Sequence, residues 1–293
     1  MPSNRKTTFA DWLLVLFFLL AIAATFLPMV NILARSLSSA HALAARQVAL
    51  RPVGFTLEAY ELIFRDAAYT RSLIFTAILT VTFTAFAMFM TIITAYPLMH
   101  DELKGRNAFT IMMIFTMYFS AGMIPNFMLI NNLGLLNNPL VLILPSSLSV
   151  FNVIIMRAFF RNIPVSLRES AEMEGANPFQ ILVKIYLPLS TPVLATLALF
   201  YAVGRWNGFT DALLFMTGAR QYWPIQLLLW NLIQNVTAID VQYLEGAFGA
   251  PPIGLNESLR AATVMFSTVP ILLVYPWLQR YFISGVTLGA VKE

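Results

Sequence analysis

The sequence predicts an all-α membrane protein of six transmembrane helices, and three observations carry that prediction. Of the 293 residues 59% are apolar and 11% charged, with a mean hydropathy of +0.74. That is more apolar surface than a soluble domain of this size can hide. The apolar residues gather into six runs, most near the roughly 20 residues a helix needs to cross a bilayer. The formal charge of +4 fits Lys and Arg lying beside those runs.

Residues 1–10 are short and polar, and Arg5 and Lys6 place this end in the cytoplasm. The first span is 12–34. A secretory signal is the competing reading, because 21–24 (Ala-Ile-Ala-Ala) looks like a cleavage region. The apolar run continues past it to Val30, which favours a retained anchor. Residues 35–71 are more polar, with a helix expected around 57–64, and are placed outside the cytoplasm. They could hold a small amphipathic element on the membrane surface.

The second span, 72–99, places Thr76, Thr80 and Thr84 on one helix face. Such hydroxyls can bond their own backbone or face a pore, and both readings stand. A charged turn at 100–107, with Lys104 and Arg106, returns the chain to the cytoplasmic side. The third span, 108–130, is interrupted at Pro125 and Asn126, and an uncharged external turn follows at 131–138. The fourth, 140–160, contains Pro145, Ser146, Ser147, Ser149 and Asn152, with Arg157 and Arg161 at its cytoplasmic end.

Residues 161–186 form a cytoplasmic loop and 187–206 the fifth span. From 207 to 258 the chain is apolar only in pieces, carrying Asp211, Arg220, Asp240, Glu245 and Glu257. Its patches at 212–216 and 225–233 are each too short to cross, so an external, partly re-entrant or surface-lying segment fits. The sixth span, 259–282, can kink at Pro270 and Pro276, and the tail carries Lys292. Both termini are then cytoplasmic. Ten of the eighteen Lys and Arg fall on the cytoplasmic side, a modest bias carried by the short loops.

The chemistry excluded is informative. With no cysteine there are no disulfides, thiolate metal sites or thiol nucleophiles. His41 and His100 are isolated in sequence and read as structural. No phosphate-binding G-x-x-x-x-G-K-[ST] loop, G-x-S-x-G elbow or H-E-x-x-H helix occurs, so no catalytic residue, metal site or ATP site is assigned. No basic–aromatic surface motif points to nucleic acid. Energy for any transport must come from elsewhere.

The polar stretch 169–188, ESAEMEGANPFQILVKIYLP, is too structured for a mere connector. Glu169, Glu172 and Glu174 alternate with small or apolar residues, Gly175 closes the helix, and Asn177-Pro178 opens the next. Glu169 can complement a helix N-terminus and pair with a partner's arginine; a solvated face, or a pair with Arg168 or Arg161, is the bland alternative. Gly175 allows a tight turn that a side chain would obstruct, and Pro188 suits the start of a span. The set Glu169, Ser170, Ala171, Gly175, Ile185, Leu187, Pro188 resembles the "EAA" signature of permease subunits in ATP-driven bacterial importers, with Ser170 where alanine is usual.

That resemblance implies a type I ABC importer permease fold. In it this stretch is a cytoplasmic coupling helix seated in a groove of an ATPase. It further implies a second, similar permease subunit, two ATPase subunits that bind ATP and Mg, and an external solute-binding protein, all at the bacterial inner membrane. Six helices would then form half of the translocation path, embedded in membrane lipid.

Over nearly its whole length the chain also resembles the second permease of carbohydrate importers. Residues 204–209 (Gly-Arg-Trp-Asn-Gly-Phe) resemble that group's W-N-D-F sequence, with Gly208 where aspartate is usual. The run 131–139 resembles the subgroup moving oligosaccharides, including acidic ones such as alginate or other uronates. Aromatic rings beside amides suit sugar recognition, and Trp206, Asn207, Tyr222, Trp223, Trp230 and Asn231 supply them. Trp and Tyr also gather at membrane interfaces whatever the substrate. Arg205 and Arg220 could attract an acidic sugar or a lipid headgroup. A permease for a non-sugar solute shares the 169–188 pattern and is the main alternative. A membrane enzyme or assembly factor would need a catalytic cluster that the sequence lacks.

Overall fold

The computed structural model describes residues 9–234 and 254–290, the side chains of 274–290 excepted. Among these, every regular element is helical, and the only strand-like pairing is an isolated bridge between Ser38 and Phe55. The expected stretches around Arg5, Lys6, Asp240, Glu245 and Lys292, and the side chains of Pro276 and Arg280, lie outside the described residues.

Two helices are long and apolar enough to cross a membrane: α1 (Phe9–Ser36) and α4 (Ala67–Met99). Three further pairs pass the same test but are bent. They are α5 (Arg106–Tyr118) with α6 (Met123–Asn132), at 113°; α7 (Val150–Arg161) with α8 (Val165–Met173), at 72°; and Pro178–Leu189 with α11 (Thr191–Asn207), at 83°. The described residues thus give two spans by length and composition, and up to five if each bent pair is one span.

The breaks fall where backbone chemistry puts them, and three differ from expectation. In 108–130 the break is at 119–122, where Gly122 takes a φ of +90°. Pro125 lies in the first turn of α6, where a missing N–H costs nothing. The 140–160 stretch opens with a 3₁₀ turn, Pro139–Leu142, and its α-helix begins only at Val150, after Ser149 accepts from the Asn152 N–H. The 187–206 stretch divides at Ser190. Pro192, rather than Pro188, occupies the first turn of α11.

The chain forms two compact units. One is Met1–Thr70 with Leu229–Val269. Here α1 leads into a short α2 (Ala40–Ala44), capped by the Ser39 hydroxyl on the Ala42 N–H. Ser38 ties the same corner, donating to Ala34 O and accepting from Val53 N. Next, α3 (Glu58–Arg65) buries Ala59 and Ile63 against Leu255, Leu259 and Ala262 of α14 (Leu255–Ala290). Gly254 is required at this contact, because a Cβ there would lie 1.7 Å from Ala40 O. Most of α13 (Ile225–Gln234) also belongs here.

The other unit is Arg71–Leu228 with Pro270–Glu293. Its core packs Ala95, Tyr96 and Met99 of α4 against Met156 and Phe160 of α7, Tyr186, and Leu197 of α11. A hydroxyl chain fixes α11 on α4: Ser149 N donates to Tyr201 Oη, which is 2.7 Å from Thr91 Oγ1, which donates to Ala87 O. Each buried polar atom in that chain has a partner, which offsets the cost of desolvating it. Thr76 is likewise structural: its hydroxyl donates to Ser72 O and accepts from the Ile225 N–H. The buried Thr80 and Thr84 hydroxyls, one and two turns on, have no partner among the described residues.

Candidate functional site

The resembling stretch 169–188 folds as two short helices joined by a sharply specified turn. The first, α8, buries none of its nine residues. It ends in a Schellman motif: Ala176 N donates to Ala171 O and Gly175 N to Glu172 O, with Gly175 at φ +82°. Nothing lies within 4 Å of where a Gly175 Cβ would stand, so its dihedral, not space, is what demands glycine. That corrects the expectation of an obstructed side chain. At the next helix start Asn177 and Gln180 form a capping box at 2.9 Å in both directions, with Pro178 in the first turn. A short α9 (Pro178–Ile181) passes through one π-helical turn, Leu182–Tyr186, into α10 (Leu187–Leu189).

The signature residues divide by facing. Ala171, Ile185 and Leu187 pack partly buried on the core of this unit, Gly175 makes the turn, and Glu169, Ser170 and Pro188 are exposed. The outer surface is also apolar: Met173 is 89% and Phe179 72% exposed. Exposed large apolar side chains in one compact turn are a feature of interaction surfaces.

What holds α8 down is Arg168. Its guanidinium donates to His100 Nδ1 at 2.6 Å and lies near Glu102 (3.7 Å) and Glu172 (3.5 Å). Tyr96 Oη donates to Pro178 O, and the rings of Tyr96, Phe160 and Tyr186 meet edge to face beneath the turn. Burial, then the Arg168 charge, pushes His100 below the ordinary histidine value, and burial pushes the Tyr186 phenol up. Beside them Arg106, hydrogen-bonded to Asp101, holds that carboxyl below its usual range, with Arg161 adding to the effect. With Arg168 and Arg161 engaged in these pairs, Glu169 has no ion-pair partner among the described residues.

The second candidate set is dispersed. Trp206 is 9% exposed near the end of α11, and the Asn207 amide donates back to Val203 O. Tyr222 packs tilted on Phe75, and Trp223 donates through Nε1 to Met216 O with the Arg220 guanidinium 5.5 Å above its ring. Trp230 and Asn231 stand half-buried on α13, in the other compact unit. None of the six lines the cavity of about 340 Å³ bordered by Phe83, Tyr201, Gly204, Arg205, Gly208 and Asp211.

Arg205 is the residue sequence reasoning misplaced. It is 5% exposed and bidentate on Asp211, which belongs to α12 (Thr210–Phe215), at 2.5 and 2.9 Å. It also donates to Leu142 O and Gly208 O and lies over the Phe83 ring. Its charge is occupied internally. A lone arginine in an apolar run with an aspartate six residues on was the available signal. Arg168–His100, 68 residues apart, left none. Among the described residues no group of three or more His, Asp or Glu could hold a metal ion.

Comparison with known proteins adds identity to this geometry. Residues 74–288 match the family "Binding-protein-dependent transport system inner membrane component". The polygalacturonan/rhamnogalacturonan transport system permease protein YtcP of Bacillus subtilis (strain 168) is 38% identical over 98% of this chain and 99% of its own length. Protein LplC of the same organism is 40% identical over 92% of this chain and 90% of its own. A chain in the crystal structure of a bacterial ABC transporter involved in importing the acidic polysaccharide alginate superposes with a TM-score of 0.87. It is 32% identical, covering 95% of this chain and 100% of that one.

Proposed function

The chain belongs to the family of inner-membrane components of binding-protein-dependent transport systems, and from that premise we propose that it helps import oligosaccharides, acidic uronate-bearing ones among them. It is a multi-pass inner-membrane permease subunit of an ABC importer, without catalytic activity of its own. The substrate class rests on relatives named for polygalacturonan and alginate.

In this reading six spans cross the membrane, at 12–34, 72–99, 108–130, 140–160, 187–206 and 259–282, with both termini cytoplasmic and 207–258 outside. One half of the path comes from this chain and the other from a second permease, surrounded by lipid. Two ATPase subunits hold ATP and Mg, and an external solute-binding protein delivers the sugar. Glu169, Ser170, Ala171, Gly175, Ile185, Leu187 and Pro188 form the coupling element. The observation that carries the mechanism is the exposed α8 and the turn after it, with Met173 and, on α9, Phe179 exposed, clamped to α4's end by Arg168. Closure of the ATPases would draw α8 inward. The clamp would pass that movement to α4 and α7, so a central cavity between the two permeases changes its opening. Trp206, Asn207, Tyr222, Trp223, Trp230 and Asn231 are the proposed path residues, stacking sugar faces and bonding hydroxyls.

Uptake by proteoliposomes containing the whole importer and its binding protein tests the substrate reading. Labelled uronate oligosaccharides should accumulate with ATP, whereas amino acids and phosphate should not. Accumulation of a non-sugar solute alone would refute it. Because the chain has no cysteine, single cysteines placed at each terminus test the topology. Labelling of either from outside would refute the placement of both termini in the cytoplasm.

A further inference from the structure

The unit formed by Met1–Thr70 and Leu229–Val269 holds a cavity of about 350 Å³, lined by Arg35, Leu43, Arg46, Val48 and Glu257. Its volume is at the small end of the range for small-molecule sites. Arg35 closes the last turn of α1, with Nη1 3.6 Å from Glu257 Oε2. Those two side chains are 44% and 49% exposed, so the pair is weak and open to competition. Arg46 has no acidic partner among the described residues. Two guanidiniums against one carboxylate leave the cavity one positive charge in excess.

The backbone supplies an independent observation. α2 ends in a Schellman turn, with Arg46 N donating to Leu43 O and Gln47 N to Ala42 O, both at 3.0 Å. The residue at its left-handed position is Arg46, at φ +55°. The same turn at the end of α8 uses Gly175. Glycine fits that position without strain and arginine does not. Residues held in such conformations cluster at functional and ligand-holding sites, and this one borders the cavity.

We propose that this cavity is an anion subsite that takes a carboxylate of an acidic, uronate-type oligosaccharide. Arg46 makes the charge-assisted contact, and Arg35 exchanges Glu257 for the ligand. The proposal rests on the substrate and topology stated above, which place the cavity on the outer side.

The test uses the complete importer with its binding protein in phosphatidylcholine vesicles. ATPase stimulation is read with a galacturonate oligosaccharide and with a neutral arabino-oligosaccharide. Arg46→Gln and Arg46→Gly should each raise the half-saturating galacturonate concentration about tenfold, the scale of one charged contact, and leave the neutral sugar's unchanged. Arg46→Gly relieves the backbone, so its Tm should equal or exceed wild type while the galacturonate response still falls. Equal galacturonate responses in wild type and both variants overturn the subsite alone. A loss shared by the neutral sugar overturns it in favour of binding-protein docking. A defect appearing only when phosphatidylglycerol is added overturns it in favour of a lipid headgroup. A wild-type complex that ignores galacturonate refutes the substrate reading, and the subsite with it.

Discussion

Nη1 of Arg168 reaches Nδ1 of His100 at 2.6 Å, joining α8 to the end of α4. A guanidinium only donates, so this bond requires Nδ1 to be an acceptor and the ring to be neutral. Tyr96 meets the ring edge-on, Arg168 faces it, and Glu102, Glu172 and Asp101 surround it with partly compensating charge.

That geometry predicts a pH dependence. The folded His100 pKa lies below the unfolded value of about 6.5, so the unfolded chain binds its proton first. The contribution to stability is therefore fully present above about pH 6.5 and is lost as pH falls through the folded value. The Tm of the purified importer should drop between pH 7.5 and 5.5 more in wild type than in His100→Gln. Parallel curves for the two would contradict the bond.

Gly175 carries a backbone requirement without a steric one. Gly175→Ala should cost about 1–2 kcal/mol and Gly175→Asn less, because asparagine tolerates the left-handed region better. Chemical denaturation of the complex would measure both. An alanine variant as stable as wild type would show that the turn relaxes.

Arg205 is buried against the partly exposed Asp211, so removing the aspartate strands the guanidinium. Asp211→Ala should destabilise by about 3–5 kcal/mol, while replacing both with apolar residues of similar volume should lie much nearer wild type. The same Arg205 charge, read from sequence alone, was a candidate for attracting an acidic sugar. Unfolding of the two variants decides between a structural clamp and an available charge. A full-strength fold in Asp211→Ala would sink the clamp.

Thr76→Val removes the acceptor for the buried Ile225 N–H and should cost about 1–3 kcal/mol. Thr76→Ser should restore most of that. Equal unfolding midpoints for the valine and serine variants would deny Thr76 its structural role.

Local chemistry was legible in the sequence, and long-range pairing was not. Gly175 as a helix stop and Asn177-Pro178 as a start follow from dihedral and capping preferences within a few residues. The break in 108–130 was misplaced because proline is the louder signal. Pro125 is harmless in a first turn, whereas Gly122 sets the bend through its positive φ. For Thr76, Thr80 and Thr84 the shared face was readable. That of the three only Thr76 finds a partner among the described residues, in Ile225, 149 residues away, depends on packing that no periodicity encodes. The same holds for Arg168 and His100, the clamp beneath α8.

In the proposed mechanism α8 passes the work of partner ATPases to this chain. The direct measurement is oligosaccharide-stimulated ATPase activity and uptake in the reconstituted importer, comparing wild type with Glu169→Ala. Glu169 is exposed and without an ion-pair partner among the described residues, so its loss should change stability by no more than about 0.5 kcal/mol. Sugar-stimulated hydrolysis and uptake should nevertheless fall at least tenfold, a threshold equal to about 1.4 kcal/mol of coupling. Wild-type stimulation and uptake in Glu169→Ala, with the complex intact, would contradict coupling through α8.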